Sequence, residues 1–386
     1  MKKILKLNEI SPVANSIFTD YEYSKDIENP CGIMLRSFKM HDYVMPESLL
    51  AVARAGAGTN NIPIEVCSEK GIVVFNTPGA NANAVKELTI CALLMSSRKV
   101  CQSYVWAEGQ KEVGADVPKL VEKEKARFGG PEIAGKTLGV IGLGAIGAMV
   151  ANACCDLGME VLGYDPYISV ESAWGLSKQV THVTDFNELI SKCDYISIHV
   201  PLVSGTKECI NSESINRMKN GVRIINCSRG ELVDNTAIVE ACESGKVACY
   251  VTDFPCAEVI GYENIITIPH LGASTPEAED NCAVLAGKQL TDYLENGNIK
   301  NSVNFPAVSM ARSGDVRISI VHKNVKNTLS KLTSIISELG LNIANMANAS
   351  KGDFAYSLFD IDGDLAGSDI EKFEEVEGVI KARILR

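Results

Sequence analysis

The chain has 386 residues, 46% hydrophobic and 22% charged, a length and mix that suit two or three domains with full apolar cores and exclude a disordered chain. Its formal net charge of −11 repels phosphate backbones, so no nucleic-acid role is expected, although a few local arginines still suffice to hold a small anion. Gly, Lys or Asp breaks every apolar run well short of the roughly 18 residues that a membrane span needs, so no membrane role is expected either.

The start, MKKILKLNEI, is basic but has no apolar stretch of signal-peptide length behind it. Residues 1–100 then read as alternating strands and helices. GIMLRS (32–37), LLAVARAG (49–56) and GIVVFNTPG (71–79) are short apolar runs closed by Gly, Ser or Pro, as buried parallel strands are. Residues 81–100 are rich in Ala and Leu and free of Pro and Gly, which predicts a helix. Residues 101–130 are polar and charged and read as an exposed excursion, a contact arm for another subunit.

From residue 136 six strand-like runs follow: 137–144, 159–166, 194–201, 222–230, 248–255 and 264–270. Helix-length segments separate most of them, so the expectation is a parallel sheet with helices on both faces. Ligands of such sheets sit at the carboxyl ends of the strands. Those ends carry Gly142, Gly144, Asp165, His199, Arg229, Asp253 and His270. A helix over 275–297 comes next, then a linker over 298–315 rich in Asn, Ser, Pro and Gly. Residues 316–386 read as βαββαβ, a small split-βαβ unit. The fold class is therefore α/β, with two Rossmann-like doubly wound parallel-sheet domains and a small C-terminal βαββαβ domain. The thirteen cysteines are scattered, without a CxxC pair or a His cluster at zinc spacing. A cytoplasmic protein with reduced thiols and no metal is expected.

Gly142, Gly144 and Gly147 form GxGxxG between a strand and a helix. The first glycine allows a tight turn, the second lets backbone approach a pyrophosphate, and the third lets helix and strand pack closely. Asp165 ends the next strand, eighteen residues after Gly147. Its carboxylate suits the adenosine ribose hydroxyls and repels a 2′-phosphate, so NAD is the expected cofactor rather than NADP. The bland alternative is a glycine turn that only permits packing. Arg229, Glu258 and His270 each follow a strand of the same sheet. A 2-hydroxy or 2-oxo acid needs a cation for its carboxylate, which Arg supplies as a fork of donors. It also needs a group that exchanges a proton near neutral pH, which His supplies. A carboxylate beside the imidazole favours imidazolium. Singly, each also reads as a surface charge or a loop residue. His199, in HVPL, reads as structural.

GKTLGVIGLGAIG, YDP, HVPL, INCSRGELVD, TDFPCAE and PHLGAST, with the earlier ARAGAGTNNI and VFNTPGANANAVKE, resemble the D-2-hydroxyacid dehydrogenase family, in particular its branch acting on 3-phospho-D-glycerate. The tail resembles an ACT domain. The resemblance implies a catalytic set of Arg229 for substrate, Glu258 as partner acid and His270 as acid–base. The backbone of Ala145 and Ile146 would face the pyrophosphate. Thr77, Val200, Cys227 and Ser228 would line the cofactor, Asp253 would lie near the nicotinamide amide, and Gly272 and Ala273 would close that pocket. Arg54, Gly56, Arg36 and Ser37 would hold the substrate's carboxylate and phosphate.

The implied domains are 1–97 with 281–306 for substrate, 98–280 for NAD, and 316–386 for regulation or assembly. The active site would lie in the cleft between the first two. The sequence departs from the family pattern after Glu258, where Val replaces Pro, and in TDFP, which replaces Asp-Val-Phe. In the tail, His322, Asn324 and Asn342 match the serine-sensing residues of some relatives, while Lys326 and Asn327 replace Pro-Gly. Serine feedback and a purely dimerising role both remain open. A homodimer or homotetramer is expected. Rival readings are a sister enzyme acting on glyoxylate or hydroxypyruvate, and a NAD-sensing scaffold without catalysis.

Overall fold

The apolar runs do fold as strands, each shorter than its run. The computed structural model describes all 386 residues and forms two units, Met1–Asn81 with Pro276–Arg386 and Ala82–Thr275. In the first unit, five parallel strands lie in the order Tyr21–Ser24, Lys2–Leu7, Gly32–Leu35, Ala51–Arg54, Val73–Phe75. Two of them lie outside the expected runs. Lysines interrupt the apolar residues of Lys2–Leu7, and Tyr21–Ser24 is a four-residue edge strand with alternate residues exposed. The helix Pro276–Asn296 repeats small and apolar residues at intervals of three and four, and so buries one face (Cys282, Ala286, Leu290, Tyr293). That face packs in one core with Ile4, Met34, Ala51 and Phe75.

The same unit contains an antiparallel sheet in the order Asn342–Lys351, Phe354–Asp362, Val316–Lys323, Val379–Leu385. With the helices Thr328–Glu338 and Ile370–Glu374 it completes the βαββαβ order. Alternation along its strands gives two buried faces. Ile318, Ile320 and Phe359 meet Leu332, Ile336 and Phe373 of the helices. Val321, Tyr356 and Leu358 join the core around Phe75 and Tyr293. Residues 298–315 form no regular strand, yet Ile299, Phe305, Val308 and Met310 are buried in that shared core. They are a packed wall rather than a loose tether.

The second unit holds a seven-stranded parallel sheet in the order Ile265–Thr267, Val247–Thr252, Val222–Asn226, Tyr195–Ile198, Thr137–Ile141, Glu160–Tyr164, Val180–His182. Val180–His182 is a seventh strand beyond the six runs, a short exposed edge with no apolar run to mark it. The order reverses between Thr137–Ile141 and Tyr195–Ile198, the switch point where doubly wound sheets take their ligand. The arm is helical over Val100–Glu108 and Val117–Glu124, and neither helix buries a residue. No helix of the chain is long and apolar enough to cross a membrane.

Candidate active site

At the switch point the chain leaves Ile141 through Gly142, whose φ of 89° is left-handed, and enters the helix Ala145–Asp156. A side-chain carbon at Gly142 would stand 2.7 Å from the His199 carbonyl oxygen, and one at Gly147 would stand 1.9 Å from the Gly142 carbonyl oxygen. Nothing lies within 4 Å of the corresponding position at Gly144. The first and third glycines are therefore needed for packing, and the second leaves room for a phosphate. No side chain caps the helix, so its first N–H groups are available to an anion. These residues fit a dinucleotide.

Asp165 does more than its motif suggests. Its Oδ2 accepts the Leu143 N–H at 2.8 Å, and its Oδ1 accepts the Tyr167 N–H at 2.9 Å. The carboxylate thus fastens the glycine loop to the end of the second strand, and its remaining lone pairs can still meet ribose hydroxyls. Val200 is half-buried beside the loop. Ser228 donates through Oγ to the Ile198 carbonyl at 2.6 Å. Burial pushes the Cys227 thiol up to about 12, so it stays protonated near neutral pH.

Asp253 ends the strand Val247–Thr252 and is wholly buried. Its Oδ2 accepts the Gly272 N–H at 3.3 Å, while its Oδ1 has no partner. Burial raises its pKa, opposed by the charges of His270 and then Arg229. The structure therefore gathers Asp253, His270, Arg229 and Gly272 at the carboxyl ends of neighbouring strands, with Ala273 half-buried next in the chain. Arg229 is braced by its Nη1, which donates to the Ser228 carbonyl at 2.6 Å. His270 is exposed, and its ring lies 4.7 Å from that of Phe254. Glu258 is also exposed. Its own backbone N–H and the Cys256 thiol hold its carboxyl low, and no hydrogen bond or ion pair joins it to His270.

In the first unit the named substrate residues surround three adjacent strand ends. Arg54 Nε donates to the Arg36 carbonyl at 3.0 Å. A side-chain carbon at Gly56 would stand 2.7 Å from Arg54 Nη1, so this glycine leaves space for the guanidinium. Thr77 is buried, and its N–H donates to the Gly56 carbonyl. Ser37 Oγ accepts from Asn8 Nδ2 at 3.0 Å. Arg36 pairs with Glu279 at 2.7 Å. Asn8, Asn61 and Glu279 escaped the sequence reading. The signal for Asn61 is its amide, which ties the Arg36 and Phe38 carbonyls together and is visible only once the loops are placed.

In the tail, His322 Nε2 pairs with Ser357 Oγ at 2.9 Å, and Asn348 Nδ2 donates to the same oxygen at 2.7 Å. Asn324 Nδ2 donates to the Gly352 carbonyl, near His322. Asn342 instead donates to Asp362 at the other end of the sheet. His322 is opposite Ala355 and Asn342 is opposite Asp362, seven residues along one strand, or roughly 24 Å. One chain brings His322 and Asn324 together but not Asn342. Ser357 and Asn348 are the partners that the sequence did not disclose.

Comparison with known proteins identifies the family. Residues 90–272 match the family model for the NAD binding domain of D-isomer specific 2-hydroxyacid dehydrogenases. The chain is 34% identical over 349 residues to a D-3-phosphoglycerate dehydrogenase of Haemophilus influenzae, covering 87% of this chain and 81% of that protein. It is 32% identical over 368 residues to the protein of the same name from Escherichia coli K12, covering 92% and 86%. Among solved structures, an NAD+-bound 3-phosphoglycerate dehydrogenase of Entamoeba histolytica matches with a TM-score of 0.59 and 26% identity, covering 78% of this chain and 98% of that one. With its glycine loop, its strand order and these relatives, the chain belongs to the D-isomer-specific 2-hydroxyacid dehydrogenase family.

Proposed function

We propose that this NAD-dependent dehydrogenase interconverts 3-phospho-D-glycerate and 3-phosphooxypyruvate, the entry step to serine. The observation that carries the reading is the buried Asp253, one oxygen unpaired, beside Arg229 and His270 at the strand ends. The nicotinamide, when bound, exchanges a hydride with C2 of the substrate. In oxidation His270 removes the C2 hydroxyl proton, and in reduction it returns it. Arg229 holds the substrate carboxylate and stabilises charge on the C2 oxygen. Asp253 anchors the cofactor's amide, and Asp165 its ribose. Arg54, Gly56, Arg36 and Ser37 take the substrate's anionic groups. Glu258 acts as partner acid to His270 once the loop between them moves, since no bond joins the two here. Proton transfer of this kind contributes roughly 100- to 10,000-fold in rate.

The Arg36–Glu279 pair favours a second reading, because a neutralised Arg36 is less drawn to a phosphate. On that reading the substrate is an unphosphorylated acid such as glyoxylate or hydroxypyruvate. A substrate panel followed by NADH absorbance separates the two. Arg54→Ala should raise KM for 3-phosphooxypyruvate by about tenfold or more while leaving that for glyoxylate within twofold, as expected for a lost hydrogen bond to a charged group. Equal effects support the second reading. No NADH consumption with any acid would leave a NAD-sensing scaffold.

The chain further assembles, on this proposal, as a homodimer or homotetramer in the cytoplasm. Support for self-association comes from the arm, where Val100, Tyr104 and Val105 are exposed. Support for a reducing compartment comes from thirteen unpaired cysteines. A serine effector at the tail would use His322 and Asn324. Sedimentation and turnover, each with and without serine, test these proposals together.

A further inference from the structure

His270 is held in an unusual way. No hydrogen bond within the chain reaches either nitrogen of its ring, and Glu258 is turned toward Cys256. The imidazole lies against the ring of Phe254, with ring centroids 4.7 Å apart and planes inclined by 44°. Phe254 is itself fixed. Its N–H donates to Thr252 Oγ1 at 3.1 Å, at the exit of the strand that carries Asp253. A side-chain carbon at Gly230 would stand 3.4 Å from Phe254 Cβ, so Phe254 packs beside the turn that carries Arg229. A single half-buried side chain thus lies against the backbone next to Arg229 on one side and the ring of His270 on the other. It belongs to TDFP, the segment in which the sequence departs from its family's pattern.

We propose that Phe254 is a positioning residue for His270. Its ring is the wall that sets the orientation of the imidazole before substrate arrives, a task that Glu258 does not perform in this structure. The functional half of this inference rests on His270 being the acid–base group. An exposed imidazole without hydrogen bonds explores several rotamers, and proton transfer needs one of them. A tilted aromatic ring at this distance limits the swing of the imidazole while leaving both nitrogens without a hydrogen bond.

The test has a spectroscopic and a kinetic arm. Imidazole proton resonances of the full chain are recorded by NMR, and the His270 signal is assigned by its loss in His270→Asn. Phe254→Leu keeps an apolar side chain but removes the ring. It should abolish the ring-current displacement of the His270 signal and lower kcat by about 10- to 100-fold, the scale of a misplaced reacting group. The NADH Kd from fluorescence titration and the thermal midpoint should stay unchanged. Phe254→Tyr should restore both the displacement and kcat. An unmoved His270 signal in Phe254→Leu, or an unchanged kcat while His270→Asn is inactive, overturns the proposal. So does a parallel loss of NADH affinity and thermal stability, which would mark Phe254 as packing alone. Turnover that survives His270→Asn overturns the acid–base reading instead, and with it the functional half of the inference, whatever the NMR shows.

Discussion

Asp360 in the tail and Asp253 in the nucleotide unit are both wholly buried, and the chain treats them in opposite ways. Asp360 accepts from Arg317 Nε at 2.6 Å and Nη2 at 2.8 Å, and from the Ser313 N–H and hydroxyl. Burial alone would raise its pKa, but Arg317 and Ser313 hold it low. The other donors of Arg317 go to the carbonyls of Asn296, Met310 and Ala311, so all five guanidinium N–H groups are used. The pair ties the end of the long helix, the segment before the tail, and the tail sheet into one unit. Asp253 has a single bond at 3.3 Å and an oxygen with no partner. A buried oxygen left unpaired is costly. The satisfied carboxylate builds architecture, and the open one is the group that, on the proposed function, meets the cofactor.

Removing one partner of the satisfied pair should break the comparison most visibly. Arg317→Met strands the Asp360 carboxylate, and the expected loss is about 3–5 kcal/mol of stability by urea unfolding. Arg317→Met with Asp360→Leu should recover most of it, because the pair's desolvation cost goes with its attraction. No recovery would mean that the carbonyl contacts, not the charge, hold the joint. At the open site the order reverses. Asp253→Asn should leave the unfolding free energy in urea within about 1 kcal/mol of the parent. It should weaken NADH binding by about 10- to 100-fold, the roughly 1.5–3 kcal/mol of a hydrogen bond to a charged group. A stability loss as large as that of Arg317→Met would make Asp253 a packing element like Asp360.

The sequence discloses what is local. Apolar runs closed by turn residues mark the inner strands, and GxGxxG followed by an acid marks the dinucleotide loop, because a glycine turn and a strand end are properties of a few consecutive residues. It does not disclose what depends on register or on distant partners. Lys2–Leu7 is an inner strand despite its lysines, since its neighbours bury Ile4 and Leu5. His322 and Asn342 look like parts of one site along the chain, and antiparallel pairing sends them to opposite ends of the sheet. Residues 298–315 have the composition of a linker, but Ile299, Phe305, Val308 and Met310 find a core. Glu258 stands where the family's partner acid is expected, yet loop conformation decides which group the carboxylate meets.

His199 falls between the two aspartates and gives the smallest effect. It packs beneath the glycine loop, with Nε2 paired to Ser197 Oγ at 2.8 Å and Nδ1 buried without a partner. A neutral imidazole with one open nitrogen is cheaper to bury than a carboxylate, so the chain tolerates it without a ligand or a counter-ion. Burial lowers its pKa from 6.5 to about 4. Between those values the unfolded chain binds a proton that the folded chain refuses, so stability rises with pH across this window and is lost as pH falls through it. One such group contributes a slope of at most about 1.4 kcal/mol per pH unit. Replacing His199 with Gln should flatten the thermal midpoint against pH between 4.5 and 6.5 and leave the curve above 7 parallel to that of the parent. An unchanged slope would assign the acid sensitivity to carboxylates such as Asp360, whose low folded pKa makes stability fall with pH in the same direction, and Arg317→Met with Asp360→Leu would then be the variant that flattens it.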